Sequence, residues 1–425
     1  MSREGKQRRA HIRSRLIHGK FHTSRWDFSH HLVPPITSSA TFRLDTTARG
    51  ARGFEQFAAP TSQKGELEPI YIYDRLDEPT RGMLEDNLAE AEGGETAVTF
   101  ASGMGAVAAA LLVLVKAGDC IVAHQRVYGC TYSLLTTWLP RLGIRTHFVD
   151  MTDLEATEKL VRKVEPRVIY FETPVNPTME LIDIAAIRKM RGRRKTSIVV
   201  DNTFATPFCQ RPLSLGADIV VHSLTKSLSG FGTVLGGAVI APKRLEPDLF
   251  MARKDFGAVL TGQSAWSVLV YGLPTLGIRI REQEKTAGLV AEMLADHPRV
   301  KEVRWPGLSD YPWHDLARHQ MQDWDGNFAP GTIVYFVLKG RPAASGKKAE
   351  KLVDHIANNA YTITLAVSLG QVRTLIEVPA CMTHAVVPEE AKAAGHIDPG
   401  GIRLSVGIEE TADLIKDLDN ALNAV

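Results

Sequence analysis

Cysteine is scarce in this chain: of 425 residues only Cys120, Cys130, Cys209 and Cys381 carry a thiol, and no CxxC pair occurs. That excludes a disulfide framework and fits free thiols in a reducing, cytoplasmic setting. Long apolar runs are missing too. The longest, Ala106 to Val115, falls far short of the roughly 20 residues a membrane-spanning helix needs, and reads as a buried helix. No charge sign dominates: 50 Lys+Arg against 48 Asp+Glu give a net +2, so nothing argues for nucleic acid as a partner. Among the 14 histidines no HExxH occurs, and with no cysteine pair no metal site is expected. Internal repeats and low-complexity tracts are absent. The basic opening (Arg3, Lys6, Arg8, Arg9, Arg13, Arg15, Lys20) lacks the apolar core and cleavage site of a secretory signal and reads as a surface arm.

What is present is an ordinary globular balance, 44% hydrophobic and 23% charged, at a length that suggests two or three domains. Residues 1–77 are irregular, broken by Pro34-Pro35, Gly50, Gly53 and Pro60, and predict an extended arm that rests on another surface. Over residues 78–276, short β-rich runs (Thr96 to Phe100, Cys120 to Ala123, Arg167 to Phe171, Ser197 to Val200, Asp218 to Val221) alternate with helical stretches. That alternation predicts an α/β domain with a mainly parallel sheet. Residues 277–425, with a strand from Thr332, a helix near Lys347 to Asn358 and an amphipathic helix from Thr411, predict a smaller α+β domain.

Ligands of such a sheet collect beyond the carboxyl ends of its strands. Three places there carry chemistry. Ala101-Ser-Gly-Met-Gly-Ala-Val ends a strand and opens a helix, whose free N–H groups suit an anion; read alone it is equally a structural turn. Val199-Val-Asp-Asn delivers Asp201, a carboxylate that needs a cationic partner unless it merely caps a turn. His222 to Gly232 sets Lys226 between the hydroxyls of Ser223 and Thr225, ahead of Gly230 and Gly232. A buried lysine there has the lowered pKa that Schiff-base chemistry needs, whereas a surface loop would leave it plain. Found in one chain, the three describe a pyridoxal phosphate site. The turn and hydroxyls hold phosphate, Asp201 pairs with the pyridinium nitrogen, Lys226 is the covalent tether, and Tyr128 stacks on the ring.

From about Leu16 onward the sequence resembles the cysteine/methionine-metabolism family of pyridoxal phosphate enzymes, which spans cystathionine γ-synthases and γ-lyases, homoserine sulfhydrylases and methionine γ-lyases. The resemblance rests on Tyr73-Asp-Arg75, Ser102-Gly-Met, Tyr128-Gly-Cys-Thr, Glu172-Thr-Pro-Val-Asn-Pro-Thr, Val200-Asp-Asn-Thr, Ser223-Leu-Thr-Lys, Val367-Ser-Leu-Gly and Arg403-Leu-Ser-Val-Gly. It implies a type I fold and phosphate contacts from Gly103, Met104, Ser223 and Thr225. Tyr73 and Arg75 would reach the phosphate from a neighbouring subunit, in a homotetramer with shared sites. Asn176 would meet the ring's hydroxyl oxygen. Arg403, assisted by Ser368, would take the substrate α-carboxylate with the two-point geometry of arginine.

Within the family, three features point to a methionine γ-lyase. Val367 stands where the cystathionine enzymes carry Glu and suits an apolar side chain. Cys130 follows Tyr128-Gly, although a free cysteine there is equally a packing residue. Lys254 and Asp255 lie in a segment expected near the substrate. The implied reaction is γ-elimination from methionine, giving methanethiol, 2-oxobutanoate and ammonia; γ-replacement and cystathionine γ-lyase chemistry are the alternatives. Lys226 would be the base, and Tyr128, helped toward ionisation by cations such as Arg75, the acid. Ser227, Phe231 and Glu78 depart from the family pattern, as does the segment Thr46 to Glu68, expected to rim the pocket entrance.

Overall fold

The computed structural model describes residues 10–18, 22–23, 26–27, 32–58, 70–191, 196–385, 392 and 397–425. Arg3, Lys6, Arg8, Arg9 and Lys20 of the basic arm lie outside the described residues, as does 59–68 of the segment expected at the pocket entrance.

The arm is less extended than its composition predicts. It contains α1 (Ile12–His18), which buries Ile12 and Leu16 against Ala91, and α2 (Thr47–Ala58). Gly50 and Gly53 do not break α2. Gly53 lies so close to Ile70 and Ile72 that a Cβ would come within 2.6 Å of Ile72, so glycine lets the helix seat there. Next come α3 (Pro79–Glu92), N-capped by the Glu78 carboxylate, and α4 (Gly103–Leu112).

The main sheet has seven strands: β1 (Thr96–Phe100), β2 (Cys120–His124), β3 (Arg145–Val149), β4 (Val168–Glu172), β5 (Ser197–Asp201), β6 (Ile219–Ser223) and β7 (Gly237–Ala241). Their order is β1-β7-β6-β5-β4-β2-β3. Strands β2 to β6 run parallel, and β7 lies antiparallel to both β6 and β1. Helices cover both faces, so the central strands read as nearly continuous Val/Ile runs rather than alternating ones. One face packs Val199, Ile219 and Val221 on Val107, Ala110 and Leu111 of α4. The other packs Val220, Ala238 and Ile240 on Leu84 and Leu88 of α3. Burial is complete along β5 and β6 except at their last residues, Asp201 and Ser223, which open onto the carboxyl edge of the sheet.

After α5 (Glu246–Phe256) a long helix, α6 (Leu273–Asp296), leads away. Its first half, with Leu273, Leu276 and Ile280, completes the core beneath the main sheet. Its second half, with Ala287, Val290 and Leu294, enters the core of a second sheet. The expected boundary at 276/277 therefore falls inside one continuous helix. The second sheet comprises β8 (Val300–Arg304), β9 (Ile333–Leu338), β10 (Ile363–Leu365), β11 (Thr374–Glu377) and β12 (Gly401–Ser405), in the order β8-β9-β12-β11-β10. Only β10 and β11 pair parallel. Helices α7 (Pro342–Asn359) and α8 (Thr411–Asn423) cover it through Leu352, Ile356, Leu414 and Leu418. The architecture is α/β, and among the described residues no helix is long and apolar enough to cross a membrane.

Candidate active site

A cavity of about 340 Å³ opens where the carboxyl ends of β4, β5 and β6 meet the start of α4 and loops of the second sheet. Ser102 N-caps α4, its Oγ accepting the Gly105 N–H at 3.0 Å. Gly103 and Met104 are the first helical residues, whose N–H groups have no partner within the helix and point toward the cavity end. Ser223 faces them closely: a Cβ on Gly103 would sit 2.9 Å from Ser223 Cβ and 3.0 Å from its Oγ. Thr225 Oγ1 accepts from Gly236 N at 3.1 Å, which folds the lysine loop back onto β7. Together these residues make a small-residue cradle at a helix N-terminus, the arrangement that holds a phosphate.

Asp201 and Lys226 both line the same cavity. Asp201 Oδ1 accepts the Thr203 N–H at 3.0 Å. Burial pushes its carboxyl up, opposed by hydrogen bonds from Thr203 and the field of His222. Beneath it, His222 is held by Glu92 through Nε2 at 2.5 Å. Lys226 Nζ donates to Ser368 Oγ at 2.8 Å. Its amine is pushed down to about 8, first by burial and then by the nearby Arg403. The loop after it is clamped by Arg279 of α6, which donates to Ser227 O at 2.9 Å, Gly272 O at 2.8 Å and Thr275 Oγ1 at 3.0 Å. Gly230, at φ +77°, leaves the space that this guanidinium fills.

Tyr128 and the second sheet form the rest of the wall. The Tyr128 phenol is pushed up to about 12 by burial, by Cys130 and by the carboxylates of Glu172 and Glu377. Within this chain burial is the largest cause, so the phenol keeps its proton although the guanidinium of Arg403 is also near; Arg75, the cation expected to ease its ionisation, does not line this chain's cavity. Val367, Ser368, Thr383 and Arg403 line the opposite side. Ser368 adopts φ +90°, rare for a residue with a Cβ and held by its surroundings. Its carbonyl accepts from Arg403 Nη2 at 2.8 Å, and Asn176 Oδ1 accepts from Nη1 at 2.9 Å.

Other expected site residues lie apart. Tyr73 and Arg75 are exposed, the guanidinium 5.4 Å from the tyrosine ring, and neither lines this chain's cavity. Cys130 is exposed beside Tyr128 without lining the cavity either. Lys254 and Asp255 do not reach it: they sit in the last turn of α5, paired to each other at 3.4 Å, and Lys254 O accepts from Arg75 Nη1 at 3.1 Å.

Conversely, three residues that carry weight here were given no role by sequence reasoning. Glu172 pairs with Asp201 across the β4/β5 ladder, and its carboxyl is pushed well above the usual range by burial and by Asp201. Its Oε1 accepts the Tyr128 N–H at 2.5 Å, fixing the start of that tyrosine's turn. Its place at a strand end was the available signal. Glu377 and Thr383 belong to the arginine side and carry no motif that would have marked them.

The residues present fit pyridoxal phosphate. The glycine-lined cradle suits its phosphate, half-buried Asp201 suits a pyridinium nitrogen, and Lys226, its pKa lowered, suits its aldehyde. Comparison with known proteins agrees. A family model described as Cys/Met metabolism PLP-dependent enzyme matches residues 14–423. An L-methionine gamma-lyase of Fusobacterium nucleatum subsp. polymorphum is 41% identical over 397 residues, covering 93% of this chain and 94% of that protein. A cystathionine gamma-lyase of Bacillus subtilis (strain 168) is 39% identical over 356 residues, covering 84% of this chain and 89% of that protein. The crystal structure of a cystathionine gamma synthase from Xanthomonas oryzae pv. oryzae, in complex with aminoacrylate and cysteine, superposes with a TM-score of 0.85 at 32% identity, covering 97% of this chain and 98% of that one. With one family matched along nearly its whole length and the residues that family's cofactor needs gathered at its strand ends, the chain belongs to the pyridoxal-phosphate-dependent enzymes of cysteine and methionine metabolism.

Proposed function

We propose that this enzyme catalyses γ-elimination of L-methionine, in which methionine and water give methanethiol, 2-oxobutanoate and ammonia. The observation that carries this reading is the apolar end of the cavity, where Val367, 57% exposed, stands in one wall with the protonated phenol of Tyr128 in another. A thioether fits beside the valine, and a charged distal group gains nothing there. Relatives named L-methionine gamma-lyase, 38% to 41% identical to this chain, support it.

When bound, pyridoxal phosphate supplies an electron sink for the substrate's α-carbon. Arg403 binds the substrate carboxylate. Lys226, with an amine near neutrality, takes the proton from Cα and moves protons at Cβ. Tyr128 holds a proton on its phenol oxygen and gives it to the departing thiolate. Tyr73 and Arg75, exposed here, complete the phosphate site of a neighbouring copy in a homotetramer, and Lys254 and Asp255 approach substrate across the same contact. A second reading, γ-replacement at the same site, is favoured by the likeness to a cystathionine gamma synthase structure.

The test is a product assay over methionine, homocysteine, cystathionine and O-acetylhomoserine, each with and without added thiol. Methionine alone should release 2-oxobutanoate. If it releases none while O-acetylhomoserine and thiol are consumed together, replacement is the activity.

A further inference from the structure

Arg403 has a neighbour that its assigned role does not require. Glu377 stands opposite it across the β11/β12 ladder, and its carboxylate lies 3.0 Å from Nη2. Ser368 O takes one hydrogen of Nη2, and the Glu377 carboxylate faces the same nitrogen as an ion pair. Arg403 is 3% exposed and Glu377 1%, so water barely screens the pair. Glu377 does not line the cavity, but Thr383 does, and its hydroxyl donates to Glu377 Oε1 at 2.7 Å. The other oxygen, Oε2, is buried with no hydrogen-bond partner among the described residues.

A buried guanidinium without a counter-charge is strongly destabilising, so some anion has to face Arg403 in the resting enzyme. A substrate carboxylate arriving there brings a second anion to the same fork, and two carboxylates on one guanidinium repel in a poorly screened site. The two-point grip expected of Arg403 also needs the guanidinium edge that Asn176, Ser368 O and the Glu377 carboxylate now face.

We propose that Glu377 is the resting counter-ion of Arg403, competing with the substrate's carboxylate for it and thereby setting how tightly any α-amino acid binds. The proposal rests on the reading that Arg403 receives that carboxylate. Glu377 touches Arg403 and not the substrate, so it is a positioning residue. Thr383 tethers it from the cavity wall and limits how far it can follow the arginine.

The experiment is Glu377→Gln in the holoenzyme, measured with methionine as substrate and with butanoate as inhibitor, a carboxylate that has no amine to react. KM and the butanoate inhibition constant should both fall by about tenfold, the low end of what a close charge pair contributes, with kcat within about twofold of wild type. Butanoate should also raise the melting temperature of the variant more than that of the wild type. Constants that stay the same or rise overturn the proposal. If Glu377→Gln does not fold, Glu377→Asp withdraws the same charge by one methylene and should lower both constants by a smaller factor, about threefold, because the ion pair is lengthened and not removed; no fall overturns it equally. Arg403→Gln separates the two levels. Inhibition by butanoate that survives this change removes both the carboxylate site and the counter-ion role. Inhibition lost there but unaltered in the Glu377 variants removes the counter-ion role alone.

Discussion

Strand ends deliver one wall of the cavity: Asp201 closes β5, Ser223 closes β6, and α4 begins at Gly103 directly after β1. The facing wall is assembled from a loop at Val367 to Leu369, the turn carrying Thr383 and a single strand residue, Arg403. The first wall is fixed by a sheet buried on both faces, so its functional groups need little besides their place in the chain. The second depends on contacts between segments, on a serine at φ +90° and on a buried ion pair. Cofactor chemistry common to a whole family sits on the rigid wall, and discrimination among substrates falls to the assembled one.

Substitutions at three positions sharpen this contrast. Lys226→Ala, on the rigid wall, should lower turnover by at least about a thousandfold, since it removes the proton carrier, and should remove the yellow colour of the lysine-bound cofactor. Stopped turnover assays and an absorption spectrum check both. Tyr128→Phe, in the short loop after β2, should leave cofactor binding intact while kcat falls by about a hundredfold, the usual share of a positioned acid. A Phe variant as fast as wild type would remove Tyr128 as the proton donor. On the assembled wall, Ser368→Gly and Ser368→Ala both lose the hydroxyl that meets Lys226, but only glycine relieves the positive φ. Urea unfolding should therefore find the glycine variant more stable than the alanine one by about 1 kcal/mol. Equal stabilities would mean that the loop holds no such strain.

Legibility in the sequence followed the same division. The Val/Ile runs of β5 and β6 located the residues that end them, and the small-residue turn after β1 marked the cradle, because each is a local pattern with one structural solution. Helix α2 escaped notice since Gly50 and Gly53 look like breakers until Ile70 and Ile72, about twenty residues on, are seen filling the space beside Gly53. Glu377 escaped for a related reason. Its neighbour Arg403 lies across a ladder whose register no single segment reveals, and a lone acid in an apolar strand carries no motif. The ionisation of Tyr128 was not legible because it depends first on how deeply the phenol is buried and then on which groups fold around it, Cys130, Glu172 and Glu377 among them.

The clamp formed by Arg279 has a mechanical consequence. By gripping the carbonyls of Ser227 and Gly272 at once, it ties the peptide beside the tether to the long helix that also enters the core of the second sheet. The main chain at position 226 is thereby denied a swing of its own. When the ammonium end travels between its hydroxyl perch and a reacting carbon, the travel comes from rotation about the lysine's four methylenes, as a crane turns its jib on a bolted mast.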